Sequence, residues 1–325
     1  MIVAEVPLKV TLFGEHAVVY GRPAIAFTIS QKILVKVKES DRFEVISNNL
    51  VVRGLRVLLD SYTVYSEEAK RVLRYVEEAL RYFGAERPVR VEIESPVEPS
   101  VGLGTSAGVV VGTVAAYSRL LGYRLSNEEI ARIAHEVELR VQGIGSRMDT
   151  TTESLGGFVY FSGDKSVEKI SPCGLSFSAG YFRRVRTTAE TLRIVRALRA
   201  RREGLIDKVF DMIKEITDEG LKALKACDED SLGELMYMNH ALLSLIGVST
   251  AVQDELIARA RELGVKGCKL SGGGGGGLTI CLEDERAMSL LKAFGANLID
   301  ARPTDTGVVV REIFDLSTPT GNITS

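Results

Sequence analysis

The chain has 325 residues, long enough for two packed units that each bury a sizeable core. Hydrophobic residues at 45% and charged residues at 26% are ordinary for a soluble globular protein. The net charge of −2 excludes the basic footprint of a nucleic-acid or anionic-membrane binder. Cys173, Cys227, Cys268 and Cys281 are widely spaced and form no C-x-x-C unit, which predicts neither a zinc site nor a disulfide framework. Met1 leads into the alternating Glu5-Val6-Pro7 rather than a basic stretch and an apolar core. No secretory leader is expected, and a cytoplasmic enzyme fits best.

In chain order, the pattern predicts strands at 2–6, 10–13, 33–38 and 43–46, then an amphipathic helix over 66–83. That helix carries Val72, Leu73, Val76, Ala79 and Leu80 on one face. A strand at 89–94, a buried helix over 109–121, a helix from Ser126 to about Gln142 and a strand at 157–161 follow. The chain divides near 165–185, giving expected units 1–165 and 166–325. The second unit is helix-rich, with helices expected at 189–200, 205–226, 232–245 and 251–263 and strands at 268–270, 278–282 and 307–312. Strands interleaved with helices indicate an α+β fold.

Four segments carry chemistry. At 7–21 an apolar run ends at Gly14 and presents Glu15 and His16, charged groups at the lip of a strand where a ligand is met. A solvated turn is the bland alternative. Between a Pro-containing loop and the buried helix lies Gly102-Leu-Gly-Thr-Ser-Ala-Gly108. A glycine loop opening a helix leaves backbone N–H groups and the positive dipole end facing one way, an anion site most often used for phosphate.

Three rivals share that loop. Gly102-x-Gly104-x-x-Ala107 spells a dinucleotide fingerprint, but it does not follow directly on a strand. The Gly-Lys-Ser/Thr ending of a Walker loop is missing. Gly104, Gly108 and Gly112 have membrane-dimer spacing, in a run too short and too rich in Gly, Ser and Thr to span a bilayer.

The third segment starts at Glu138 on a helix, is stopped by Gly143 and Gly145, and delivers Asp149 on the following loop. Two such carboxylates can converge, one for a metal and one for a proton; an exposed pair of acids is equally compatible with the spacing. In the fourth, Lys269-Leu-Ser271 precedes six glycines between two apolar strands. Strand brackets are unusual for a linker, and close backbone approach to a ligand explains the missing side chains better.

Together these segments resemble the GHMP small-molecule kinases, and within them the mevalonate kinases. The stretch Lys9 to Gly21, above all Gly-Glu-His-Ala-Val-Val, is similar to that group's N-terminal signature. Pro99 to Val109 resembles the ATP-phosphate loop, and Lys269 to Gly277 the C-terminal glycine loop that packs against it. Gly143 to Gly157 follows the family's Gly-x-x-Ser-x-x-Asp…Gly-Gly pattern.

The resemblance implies an N-terminal α/β domain with a left-handed βαβ crossover, a ferredoxin-like C-terminal domain and a site in the cleft between them. It implies ATP and mevalonate as substrates and Mg²⁺ as cofactor. Asp149 would accept the proton of the primary hydroxyl, with Lys9 beside it balancing the charge that develops on the transferring group. Glu15 and His16 would line the mevalonate side. Ser106 and Glu138 would hold Mg²⁺. Pro99, Gly102, Leu103, Gly104, Thr105, Ser106, Ala107 and Gly108 would wrap the nucleotide phosphates, supported by Ser271, Gly272, Gly273 and Gly274. Residues 55–64 are adenine-pocket candidates by family position.

Leu8 stands where the family usually has Gly, Thr105 where Ser is commoner, Arg147 where many relatives have a small residue, and Gly273 where Ala is usual. Alternatives left open are a sibling kinase acting on phosphomevalonate, on another mevalonate hydroxyl or on a sugar, and a silent ligand sensor. For a phosphomevalonate kinase the surroundings of Arg147, Arg183 and Arg184 matter. Oligomeric state is not fixed by the sequence; a homodimer is one assembly open to it.

Overall fold

The strand pattern that the sequence splits at Pro7 and Lys9 is one 12-residue strand, β1 (Ile2–Phe13), in the computed structural model, which describes residues 1–47, 56–58, 67–84, 87–97, 102–143, 145–163, 166–171 and 174–313. Every residue of β1 except Glu5 is buried, as in a central strand covered on both faces. Pro7 is tolerated because the neighbour on one side, β12 (Val309–Glu312), pairs only with Ile2 to Glu5. On the other side β1 pairs with the 16-residue β2 (Ala24–Glu39), with register shifts between Pro7 and Lys9 and between Thr11 and Phe13. Such irregularities re-aim side chains, and they bracket Lys9 and Thr11. Leu8, the bulky departure, lies inside the first shift and is fully buried.

Beyond β2 lie β3 (Glu44–Ser47), β4 (Arg56–Leu58) and β5 (Val89–Glu94), giving the order β12-β1-β2-β5-β3-β4. The strands β6 (Phe158–Phe161) and β7 (Val167–Ile170) extend the sheet from the early part of β2. All pairs among the described residues are antiparallel except β3 with β5, whose connection carries α1 (Glu67–Tyr82). Val72, Leu73, Val76, Ala79 and Leu80 of α1 are buried, the face its periodicity marks.

The buried helix α2 (Thr105–Leu120) lies on β1 and β2. Its glycines explain the spacing that imitates a membrane dimer. A Cβ at Gly108 would stand 2.8 Å from Ile33 Cδ1, and one at Gly112 2.4 Å from Val35 Cγ2 and 3.2 Å from Val6 Cγ2. The stripe lets a soluble helix press onto a sheet. Among the described residues no helix is long and apolar enough to cross a membrane. Next come α3 (Asn127–Gln142), opened by a Ser126–Glu129 capping box and closed by Gly143 at positive φ, and α4 (Met148–Leu155).

The second sheet contains β8 (Phe177–Phe182), β9 (Cys268–Leu270), β10 (Gly277–Leu282) and β11 (Asn297–Asp300) in the order β11-β8-β10-β9, all antiparallel. Between β8 and β9 run α5 (Thr188–Arg201), α6 (Glu203–Ala226), α7 (Glu229–Leu245) and α8 (Ala251–Glu262); α9 (Glu285–Ala293) joins β10 to β11. Fourth-first-third-second strand order with βαββαβ connectivity is the ferredoxin-like arrangement. The strands β8 and β11, which lack a long β-branched run, and the helix α9 escape the sequence reading.

One expectation is corrected. Cys268 and Cys281 form a disulfide, with Cα atoms 4.0 Å apart, and no described cysteine is free. Their sequence separation of 13 hides that the β9–β10 pairing sets them directly opposite each other. The α2–sheet contact gives a first test. Gly112→Ala should destabilise the protein by about 1–3 kcal/mol through overpacking, read as a lower denaturant midpoint at unchanged m-value; an unchanged midpoint would show that α2 is not seated against Val35.

Candidate active site

Four elements meet where β1 ends. Gly104, at φ +78°, starts α2, and no side chain caps that helix end. The first turn, Thr105, Ser106 and Ala107, thus ends the helix in backbone rather than in a capping side chain, the kind of helix end at which anions bind. The backbone N–H of Lys9 donates to Leu103 O at 3.1 Å, tying β1 to the loop. Pro99 lies outside the described residues, as does the adenine-pocket span 55–64 apart from the strand residues 56–58.

The Lys9 side chain is almost entirely buried, and its ammonium forms a 3.0 Å ion pair with Asp149 Oδ1. It also donates to Thr11 Oγ1 at 3.1 Å. Asp149 keeps 35% of its side chain exposed, so the pair has one dry and one open end. Asp149 lies in the first turn of α4, not on a loop as the sequence suggests. The Thr-rich sequence has little intrinsic helix preference, but Thr150 to Ser154 are all buried, and packing overrides propensity. Glu138, on α3, is buried as well. Burial, followed by the like charge of Asp149, pushes its carboxyl up to about 8, against the opposing charge of Lys9. Spacing left open whether Glu138 and Asp149 converge; they do.

Glu15 and His16 are both buried. Gly14, at φ +93°, makes the turn that delivers them; a Cβ there would lie 2.4 Å from Pro23 O. His16 has φ 62°, uncommon for a residue with a side chain, and precedes a 3₁₀ turn at Ala17–Tyr20. Its Nε2 lies 3.1 Å from the Gly273 carbonyl, while Nδ1 is buried without a partner. Donation from Nε2–H makes Nδ1 an acceptor with a free lone pair. Burial lowers the imidazole pKa to about 4, so the ring is neutral at neutral pH.

Glu15 forms a fully buried ion pair with Lys269 of β9, whose ammonium also donates to Leu270 O at 2.6 Å. Burial pushes the Glu15 carboxyl up and the Lys269 ammonium down, and each partner's charge opposes the shift. Lys269 was visible as the first residue of the glycine-loop motif, but nothing local in the sequence points to Glu15. Ser271 donates its hydroxyl to Thr11 O at 2.8 Å and accepts from Thr11 N at 3.1 Å, a two-bond clamp between the sheets.

The glycine loop after Ser271 does approach backbone closely, but that of the protein itself. A Cβ at Gly272 would meet Gly102 O at 3.3 Å, one at Gly273 the Thr188 side chain at 2.8 Å, and one at Gly274 Val248 O at 2.2 Å. The two glycine loops are therefore in contact. Against Gly102 lies the guanidinium of Arg184, which donates to Thr188 Oγ1 at 2.7 Å and keeps a buried, partnerless Nε. Burial lowers the pKa of Arg184, which forms no ion pair among the described residues. Arg147 precedes α4 and holds a buried Nη2 without a partner. Among the described residues no cluster of three or more His, Cys, Asp or Glu side chains is arranged to hold a metal by itself.

Two tests follow from these buried groups. Lys269→Met should cost about 3–5 kcal/mol, because it leaves Glu15 buried without its counter-charge; a loss below about 1 kcal/mol in denaturant melts would mean that the pair is not desolvated. His16 takes up a proton on unfolding between about pH 6.5 and 4, so stability falls as the pH drops through that window. Its share is about 3 kcal/mol, and His16→Asn, a residue type more tolerant of positive φ than most, should flatten the stability–pH slope there.

Comparison with known proteins adds the family. The model of the GHMP kinase N-terminal domain matches residues 67–157, and that of the GHMP kinase C-terminal domain residues 221–300. A mevalonate kinase of Saccharolobus solfataricus is 50% identical over 95% of this chain and 98% of its own. One from Pyrococcus horikoshii is 36% identical over 96% and 98%. The crystal structure of the Methanococcus jannaschii mevalonate kinase matches with a TM-score of 0.79 at 29% identity, over 94% of this chain and 98% of that one. With both domain models matched in order and half of the residues shared with a relative over nearly its whole length, the chain belongs to the GHMP kinase family and groups there with the mevalonate kinases.

Proposed function

We propose that the protein transfers the γ-phosphoryl group of ATP to the 5-hydroxyl of mevalonate, giving 5-phosphomevalonate and ADP, a step toward isoprenoids. The observation that carries this reading is the 3.0 Å Lys9–Asp149 ion pair, tied through the Lys9 backbone to the glycine loop that opens α2. The near-full-length relatives named mevalonate kinases support the choice of acceptor.

Phosphoryl transfer needs little covalent help and depends on positioning and charge neutralisation. In this reading the nucleotide phosphates lie on the backbone of Gly102 to Gly108, with Arg184 adding positive charge beside Gly102. The contact of Gly272 with Gly102 gives the loop its outer wall. Asp149 accepts the proton of the attacking hydroxyl as the oxygen bonds to the γ-phosphorus and ADP departs. Lys9 orients that carboxylate and offsets the charge on the transferring group. Glu15 and His16 line the acceptor side, where Glu15 Oε2 and His16 Nδ1 are buried acceptors without a partner in the protein.

Mg²⁺ is the implied cofactor, and the oxygen donors fit it. Ser106 lies in the first turn of α2, and Glu138 is a buried carboxyl whose raised pKa a divalent cation would reverse. These two residues would hold the ion, which would supply charge neutralisation at the nucleotide phosphates. The small soluble substrates suit a cytoplasmic enzyme.

An ADP-release assay with mevalonate, phosphomevalonate and several sugars tests the acceptor. Turnover on mevalonate is expected; turnover on phosphomevalonate alone would overturn the reading. Asp149→Ala should lower kcat by about 10²–10⁴-fold, the usual range for loss of a general base, with the KM for ATP moving less than about threefold. A near-normal kcat in that variant would remove Asp149 from the mechanism.

A further inference from the structure

Glu153 occupies the place under the phosphate loop that an apolar residue would fill at lower cost. It follows Asp149 by four residues in α4, one helical turn, so both carboxyls lie on the same face. Its side chain is fully buried. A Cβ at Gly104 would lie 2.0 Å from Glu153 Oε1 and 2.9 Å from Lys9 Cγ, and a Cβ at Gly108 would lie 3.6 Å from Glu153 Oε2. The carboxyl thus fits the slot left by two loop glycines, beside the Lys9 stem. Glycine at 104 makes room for Glu153 as well as permitting the turn.

Neither carboxyl oxygen has a hydrogen-bond partner. Burial, with the like charges of Asp149 and Glu138, pushes the group well above the usual carboxylate range. A buried polar group without partners destabilises a fold, and a leucine of similar volume would avoid the penalty. Unpaired buried polar atoms are rare in native folds, and each calls for an explanation such as a functional role.

We propose that Glu153 is a positioning residue for phosphoryl transfer: its carboxyl oxygens receive donors of the α2 first turn when nucleotide draws the loop in, fixing the loop's distance from α4 and hence from Asp149. The proposal rests on the kinase reading above. It differs from a packing role in one consequence, that stability and function respond in opposite directions.

The test compares Glu153→Leu, which keeps volume and removes polarity, with Glu153→Gln, which keeps polar atoms without a carboxylate. Thermal unfolding, steady-state kinetics with ATP and mevalonate, and binding of the fluorescent analogue mant-ATP are measured for each. The leucine variant should have a Tm at or above that of the parent, mant-ATP affinity reduced at least fivefold and kcat reduced at least tenfold, with the KM for mevalonate within threefold. The glutamine variant should restore both affinity and kcat to within threefold. Leucine with parental affinity and kcat would overturn the proposal, as would a leucine variant with a lowered Tm, or glutamine as impaired as leucine. Mant-ATP binding separates this result from the acceptor question, since it is read even if mevalonate proves not to be the substrate.

Discussion

Glu15 and Lys269 come from opposite ends of the chain and meet as a fully buried ion pair, and the geometry of the site hangs on that meeting. Two charges removed from water hold together only where the geometry is good and further hydrogen bonds satisfy them. Here Leu270 O takes one of the Lys269 donors. The Ser271–Thr11 clamp lies two residues on from Lys269, just past the end of β9, and Thr11 in turn accepts from Lys9. A short chain of contacts therefore runs from the second sheet through the end of β1 to Asp149 on α4. The charges bring little net stability, but a mispaired arrangement would leave a buried charge uncompensated, so the two sheets have one acceptable docking.

The glycines serve the same closeness. Those after Ser271 let that loop lie on residues 183–188, on Val248 and on Gly102 at the edge of the loop that opens α2. Those of α2 let the helix settle on β1 and β2, which puts its uncapped N-terminus beside Lys9. In the proposed reading, phosphate recognition and sheet packing draw on one glycine stripe: Gly104 serves the loop, Gly112 the core, and Gly108 lies between the two. The buried acids Glu138 and Glu153, both pushed above the usual carboxylate range, crowd with the partly open Asp149 around the Lys9 ammonium, where burial favours their proton-bearing or cation-bound forms.

Much of the fold was legible in the sequence because it rests on local pattern. The apolar face of α1, the capping box and terminal glycine of α3, and the helices α5 to α8 are set by periodicity and caps within a turn or two of chain. The joint glycine and charge motifs pointed to a phosphate-transferring family, since the backbone geometry they demand is itself local. By itself the sequence also showed Glu15 and His16 at the lip of a strand, and Glu138 and Asp149 on a helix and the segment after it, while Lys9 was marked by the family resemblance.

Only tertiary structure decided what these residues meet. The helix α4 forms against propensity because its Thr and Ser side chains are buried, and the Cys268–Cys281 pair is set by strand register rather than spacing. Lys269 finds Glu15, and Glu153 finds Gly104, across sequence separations that no periodicity spans. Burial of a charge has no local signature. It depends on which surfaces close over it, and that is settled when the two sheets pack.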